Sequence, residues 1–153
     1  MIQDTEQMRQ LAYDYLKDGH MEYERGNIDD SIALIEKAKD TYEMIGDKEG
    51  YASSLNMLAV LLGASGNGSM AIDLLFQCIE IAQKYGYPEY EMMGYANIGS
   101  EYQVIGANEK ALVYFNLAEE VIRKYHLDHD PEQKKRVLGA YINMQDSYMS
   151  LKQ

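Results

Sequence analysis

The chain repeats itself at an interval of about 40 residues, the length of one helical-repeat unit, and that interval limits its fold more than any other feature. Gly26-Asn27, Gly66-Asn67 and Gly106-Ala107 recur at this interval, and Gly19, Ala59 and Gly99 keep it ahead of them. Behind them come Ser31, Ala71 and Ala111, then Ile35, Leu75 and Phe115, then Ala38, Cys78 and Ala118. A repeat of this length is one supersecondary unit that cannot bury its apolar face alone, so its copies must stack. Stacked helix pairs build a long curved surface suited to binding and usually no catalytic pocket.

A shorter interval sits inside the long one. Glycines fall at positions 26, 46, 66, 86 and 106, spaced by half of the long interval. Glycine accepts the left-handed conformation that ends a helix at no steric cost. The spacing predicts seven helices, about 4–25, 28–45, 48–65, 68–85, 88–105, 108–125 and 131–152. The short Gly-Asn and Gly-Asp joints turn successive helices antiparallel. The two prolines, Pro88 and Pro131, each follow a break and suit the first turn of a helix, where an N–H is not needed. Apolar residues recur at steps of three and four, as in Ala111, Leu112, Phe115, Ala118, Val121 and Ile122.

The expected architecture is therefore all-α, a right-handed α-solenoid of antiparallel helix pairs with about seven helices. It forms a single domain over 1–153, with repeats at about 8–46, 48–86 and 88–126 and a lone helix at 131–152. Residues 140–148 (Ala-Tyr-Ile-Asn-Met-Gln-Asp-Ser-Tyr) match residues 94–102 (Gly-Tyr-Ala-Asn-Ile-Gly-Ser-Glu-Tyr), so the last helix opens a fourth repeat. Either it covers the end of the stack, or it leads into a further domain.

Composition removes several classes of function. The net charge of −11 opposes general nucleic-acid binding, which needs a basic surface. No apolar run reaches the length of a membrane span, and the acidic N-terminus lacks the apolar core of a secretion signal. A single cysteine excludes an internal disulfide, and its apolar neighbours Leu74, Leu75 and Ile79 make it a small buried hydrophobe. These features point to a cytoplasmic protein. The charge is unevenly spread: residues 4–30 carry eight acids against Arg9, Lys17 and Arg25, whereas residues 131–153 carry Lys134, Lys135, Arg136 and Lys152 against Glu132 and Asp146. Such polarity means solvated helix faces, or a tendency to stack head to tail through the terminal helices as a homo-oligomer.

The repeat positions resemble the tetratricopeptide repeat. That motif places an aromatic, a leucine, a glycine and a tyrosine on its first helix, and a small residue, an aromatic and an alanine on its second. The third repeat fits best, with Tyr95, Ile98, Gly99, Tyr102, Ala111, Phe115 and Ala118. The second reads Leu55, Leu58, Ala59, Leu62, Ala71, Leu75 and Cys78. The first reads Tyr15, Asp18, Gly19, Glu22, Ser31, Ile35 and Ala38, and departs most. The period, about 40 residues, exceeds the family's usual ~34, which makes each helix almost one turn longer. Extended repeats of this kind are similar to those of bacterial peptide-pheromone receptors and of input domains ahead of diguanylate cyclases.

The resemblance implies that the first helix of each repeat lines a concave groove that binds a protein or peptide. Carried over, the groove takes Tyr13, Lys17, His20 and Tyr23 from the first repeat, and Ser53, Asn56, Met57 and Val60 from the second. The third supplies Met93, Asn97, Ser100 and Gln103, and the last helix Asn143, Asp146 and Met149. Amides can both donate to and accept from a peptide backbone, while tyrosine and methionine supply apolar contact. Asn97 and Asn143 hold equivalent places. They form a ladder for a partner, or they make contacts within the stack. Lys17 stands almost alone there, which argues against a chaperone-type carboxylate clamp.

No catalytic constellation is legible. GxSxG, HExxH and a Walker-type loop are all absent from the sequence, and Gly66-Asn67-Gly68-Ser69 is a turn with no lysine behind it. His126, Asp128, His129 and Asp130 are metal-ligand types but lack the strong ligands that a zinc site requires. The expectation is a non-catalytic module with no metal, no cofactor, no nucleic acid and no membrane. The alternative is the sensory input domain of a larger bacterial signalling protein, such as a diguanylate cyclase or a peptide-responsive transcription regulator.

Overall fold

The computed structural model describes residues 2–152. Among these are seven α-helices: α1 (Ile2–Glu24), α2 (Ile28–Ile45), α3 (Lys48–Ala64), α4 (Gly68–Tyr85), α5 (Pro88–Val104), α6 (Asn108–Tyr125) and α7 (Lys134–Leu151), with a 3-10 turn at Leu127–His129. The regularly spaced glycines mark the breaks. Gly26, Gly46, Gly66, Gly86 and Gly106 all have φ between 73 and 88°, a region that costs a side-chain-bearing residue about 1–2 kcal/mol. The sixth break has no glycine, and His126 takes the left-handed position at φ 53°.

One boundary differs from expectation. Pro131 does not open the last helix, which starts at Lys134. The Asp130 side chain accepts from the backbone N–H of Glu132 (3.0 Å), and its carbonyl accepts from Gln133 N–H (3.0 Å). This aspartate turn holds Pro131 in a bend, as aspartate before proline favours. Pro88 does occupy the first turn of α5.

The chain divides into two compact units, Met1–Gln77 and Cys78–Gln153, and the division falls within α4. In the first unit, Ala12 packs with Ala38 and Tyr42. Further along the same pair, Ser31 Oγ donates to the Gly19 carbonyl at 2.6 Å. Low numbers on α1 thus meet high numbers on α2, so the two run antiparallel. A second cluster joins Ile35 of α2 to Leu58 and Leu61 of α3, with Leu16, Met57 and Leu74 against it. Asp47 caps α3 by accepting from Gly50 N–H (2.9 Å), the satisfaction of an orphan amide that N-caps provide. Arg9 Nε also donates to Asp47, at 2.9 Å, and ties α1 to the α2–α3 joint.

The second unit repeats this scheme with larger side chains. Met92 of α5 packs with Ala118, Val121 and Ile122 of α6, and with Leu127 and Val137. At the other end of the pair, Phe115 lies against Gly99 and clusters with Ala111, Leu112 and Met144. The Tyr102 and Tyr114 rings stack at 5.6 Å with Lys110 Nζ 4.7 Å from the Tyr102 centroid, a cation–π arrangement. Val137 and Met144 place α7 antiparallel to α6.

Candidate functional site: the cleft between α5 and α7

Helical geometry brings Met93, Asn97 and Ser100 onto one side of α5, because steps of four and three return to the same face. The same steps align Arg136, Gly139, Ala140 and Asn143 on α7. The two rows meet across an open cleft of about 200 Å³, floored by Met92 and Ala96. Met93 and Ala96 belong to the apolar cluster around Met92, so the floor is fixed by core packing.

A short hydrogen-bond strap joins the walls. Asn143 Nδ2 donates to Ser100 Oγ (3.3 Å), and Ser100 Oγ donates to the Ala96 carbonyl (3.1 Å). One turn on, Gln103 Nε2 donates to the Asn143 carbonyl (2.8 Å) and to Ser147 Oγ (3.1 Å). Gln103 and Ser147 therefore spend polar capacity on holding α7 to α5. An asparagine side chain offers two N–H donors and two acceptor lone pairs. The bond to Ser100 uses one of Asn143's four. Arg136 brings a positive charge to the cleft and donates from Nη1 to Gln133 Oε1 at 3.1 Å. Gly139 leaves a gap, since a Cβ placed there meets nothing within 4 Å.

Of the residues singled out from sequence, the second unit thus brings together Met93, Asn97, Ser100 and Asn143 around the cleft, with Gln103 in its strap. Asp146 and Met149 lie on an exposed face of α7 and do not line the cleft. In the first unit, Tyr13, Lys17, His20 and Tyr23 are exposed on α1, with His20 Nε2 3.2 Å from Glu24 Oε1. Met57 packs against the Leu58 cluster, Asn56 is buried, and Val60 is exposed. Arg136 and Gly139 escaped the sequence reading. Their spacing of seven and four residues before Asn143 was the available signal.

Burial is the first cause of the shifts at Cys78, Tyr95 and Glu101 in this unit. Desolvation pushes the Cys78 thiol up to about 12, and its Sγ donates to the Tyr90 carbonyl at 3.9 Å. A thiol held protonated is a poor nucleophile. Burial first, and the Glu91 carboxylate second, raise Tyr95, while burial raises Glu101. Among the described residues, no three His, Cys, Asp or Glu side chains gather in a way that could hold a metal ion. No described helix is long and apolar enough to cross a membrane.

The tetratricopeptide repeat family model matches residues 15–84. Among solved structures, the nearly identical TPR-like repeats of a Podosopora anserina chain described as a putative kinesin light chain match with a TM-score of 0.74 and 17% identity. The match covers 95% of this chain and 69% of that one, and at such identity it shows the fold. Comparison with curated proteins gives no significant match.

Proposed function

We propose a non-catalytic module that binds a peptide segment of a partner in the cleft between α5 and α7, supported by the tetratricopeptide repeat match over residues 15–84 and by a fold shared with TPR-like repeats, a fold that serves protein–protein interaction. The observation that carries this reading is the cleft itself. It combines an apolar floor with Asn97, Ser100 and Asn143 on facing walls, the mixture that an extended backbone with alternating side chains requires. Asn97 and Asn143 supply amide contacts to the peptide main chain. Met93 supplies adaptable apolar contact. Arg136 favours a ligand with an acidic group at that end, and binding weakens as salt rises.

Gly139 provides the test. A leucine there projects into open space and replaces a poor helix former by a good one, a gain of up to about 1 kcal/mol. Peptides selected from a displayed random library against the parent chain are measured by calorimetry against parent, Gly139→Leu and Asn97→Ala. The expectation is that Gly139→Leu loses at least about tenfold in affinity with its melting temperature kept or raised, and Asn97→Ala loses about tenfold, the worth of one or two hydrogen bonds. Equal affinity across all three proteins would move recognition away from this cleft.

A further inference from the structure

A second face of α7 takes no part in the cleft. Lys135, Leu138, Ile142, Gln145, Met149 and Lys152 follow one another at steps of three and four, and every one is exposed. Steps of that kind make a single stripe along a helix. Three large apolar side chains, Leu138, Ile142 and Met149, at 59, 50 and 55% exposure, thus sit in a row with a lysine at each end. A second stripe of the same spacing runs along α1. Leu11, Asp14, Asp18 and Met21 are all exposed, with Asp4 and Gln7 continuing the row. Apolar side chains are again interleaved with charge, but here the charge is acidic.

We propose that the α7 stripe docks the α1 stripe of a second copy of this chain, head to tail. The net charge of −11 makes two copies repel unless basic α7 meets acidic α1. A two-fold contact of α7 with α7 would set Lys135 and Lys152 near their own counterparts. A contact of α1 with α1 would oppose Asp14 and Asp18 to themselves. Only the heterologous pairing sets opposite charge across the contact, with Lys135 and Lys152 on one row and Asp4, Asp14 and Asp18 on the other, and a heterologous contact propagates. The residue types also set its strength. In the repeat register Gln145 stands where Gly19, Ala59 and Gly99 stand. At Gly99 the absence of a side chain lets Phe115 approach so closely that a Cβ would lie 2.8 Å from its ring. Gln145 prevents a helix from seating on α7 as α6 seats on α5. The docking is therefore looser than an intramolecular helix pair, and reversible.

Sedimentation velocity on the chain tests this across micromolar to millimolar concentration. The expected result is an average mass that at least doubles with concentration and falls back towards monomer in high salt. Ile142→Glu blocks the α7 face and Leu11→Lys blocks the α1 face; each variant alone stays monomeric. Mixed together they form a one-to-one complex, because each retains the face that the other lacks. A parent chain that is monomeric throughout overturns the proposal. So does a Leu11→Lys variant that dimerises by itself, which would mean two-fold contact, and so does a mixture that remains monomeric. Circular dichroism checks that both variants keep their helicity, and Met149→Glu replaces Ile142→Glu if that one does not.

Discussion

The helix pairs α1–α2 and α5–α6 use the same frame and fill it differently. In the first, Gly19 faces Ile35, and Ser31 closes the approach with a buried hydrogen bond to the Gly19 carbonyl. In the second, Gly99 faces Phe115, and Ala111 stands where Ser31 stands. Asp18 is exposed on α1, whereas its counterpart Ile98 is fully buried on α5. Glu22 accepts from Asn27 Nδ2 (2.7 Å) and Arg25 Nη1 (2.8 Å), while its counterpart Tyr102 stacks on Tyr114. The bond to Asn27 first, and that to Arg25 second, hold the Glu22 carboxyl below its ordinary range. One pair closes with polar bonds and the other with aromatic area. The lesson is that the repeat demands small residues at one crossing and leaves the filler free.

Large-to-small substitution tests this most strongly. Phe115→Ala is expected to cost about 3–5 kcal/mol and Ile35→Ala about 2–5 kcal/mol, measured by urea unfolding. Both are almost fully buried, so the ring should matter more through its larger area. An Ile35→Ala cost below about 1 kcal/mol, far under the usual range for such a site, would mean that the first pair is not held by this contact.

The glycine crossings come next. A Cβ at Gly19 would meet the tip of Ile35, Cδ1 at 2.5 Å, and a flexible tip can swing away. A Cβ at Gly99 would meet the rigid ring of Phe115, with three ring atoms between 2.8 and 3.0 Å. Gly99→Ala should therefore destabilise by about 1–2 kcal/mol even after the helix gains about 1 kcal/mol from alanine. Gly19→Ala should come out near neutral. Equal costs at the two sites would show that the ring yields as easily as the isoleucine.

The smallest effect separates the polar and apolar closures. Ser31→Ala removes the bond to the Gly19 carbonyl and should cost about 1 kcal/mol. The reciprocal Ala111→Ser should be close to neutral if its hydroxyl finds the Gly99 carbonyl, and costly if it does not. Thermal melts of the two variants, each against the parent, read the difference.

Much of this is legible in the amino-acid sequence. The regular glycine interval placed six of the seven helices within about two residues, because a left-handed break is a local requirement that few residue types meet. The last helix was placed three residues early, because Asp130 and Pro131 make a turn whose hydrogen bonds depend on side-chain direction. The candidate site was half legible. Asn97, Ser100 and Asn143 were found through repeat register, but Asn56 is buried in α3, and Gln103 braces α7 in addition to any role at a ligand. Arg136 and Gly139 precede the matched segment and so fell outside the register.

The repeat, the helix count, the breaks and the small crossings follow from residue order alone, because backbone sterics and periodic burial set them. Which polar residues are spent inside the protein and which line a cleft depends on how the helices pack. Hydrogen bonding between α5 and α7 depends on distances across two helices whose bonded residues stand far apart in sequence, and no local pattern encodes those distances.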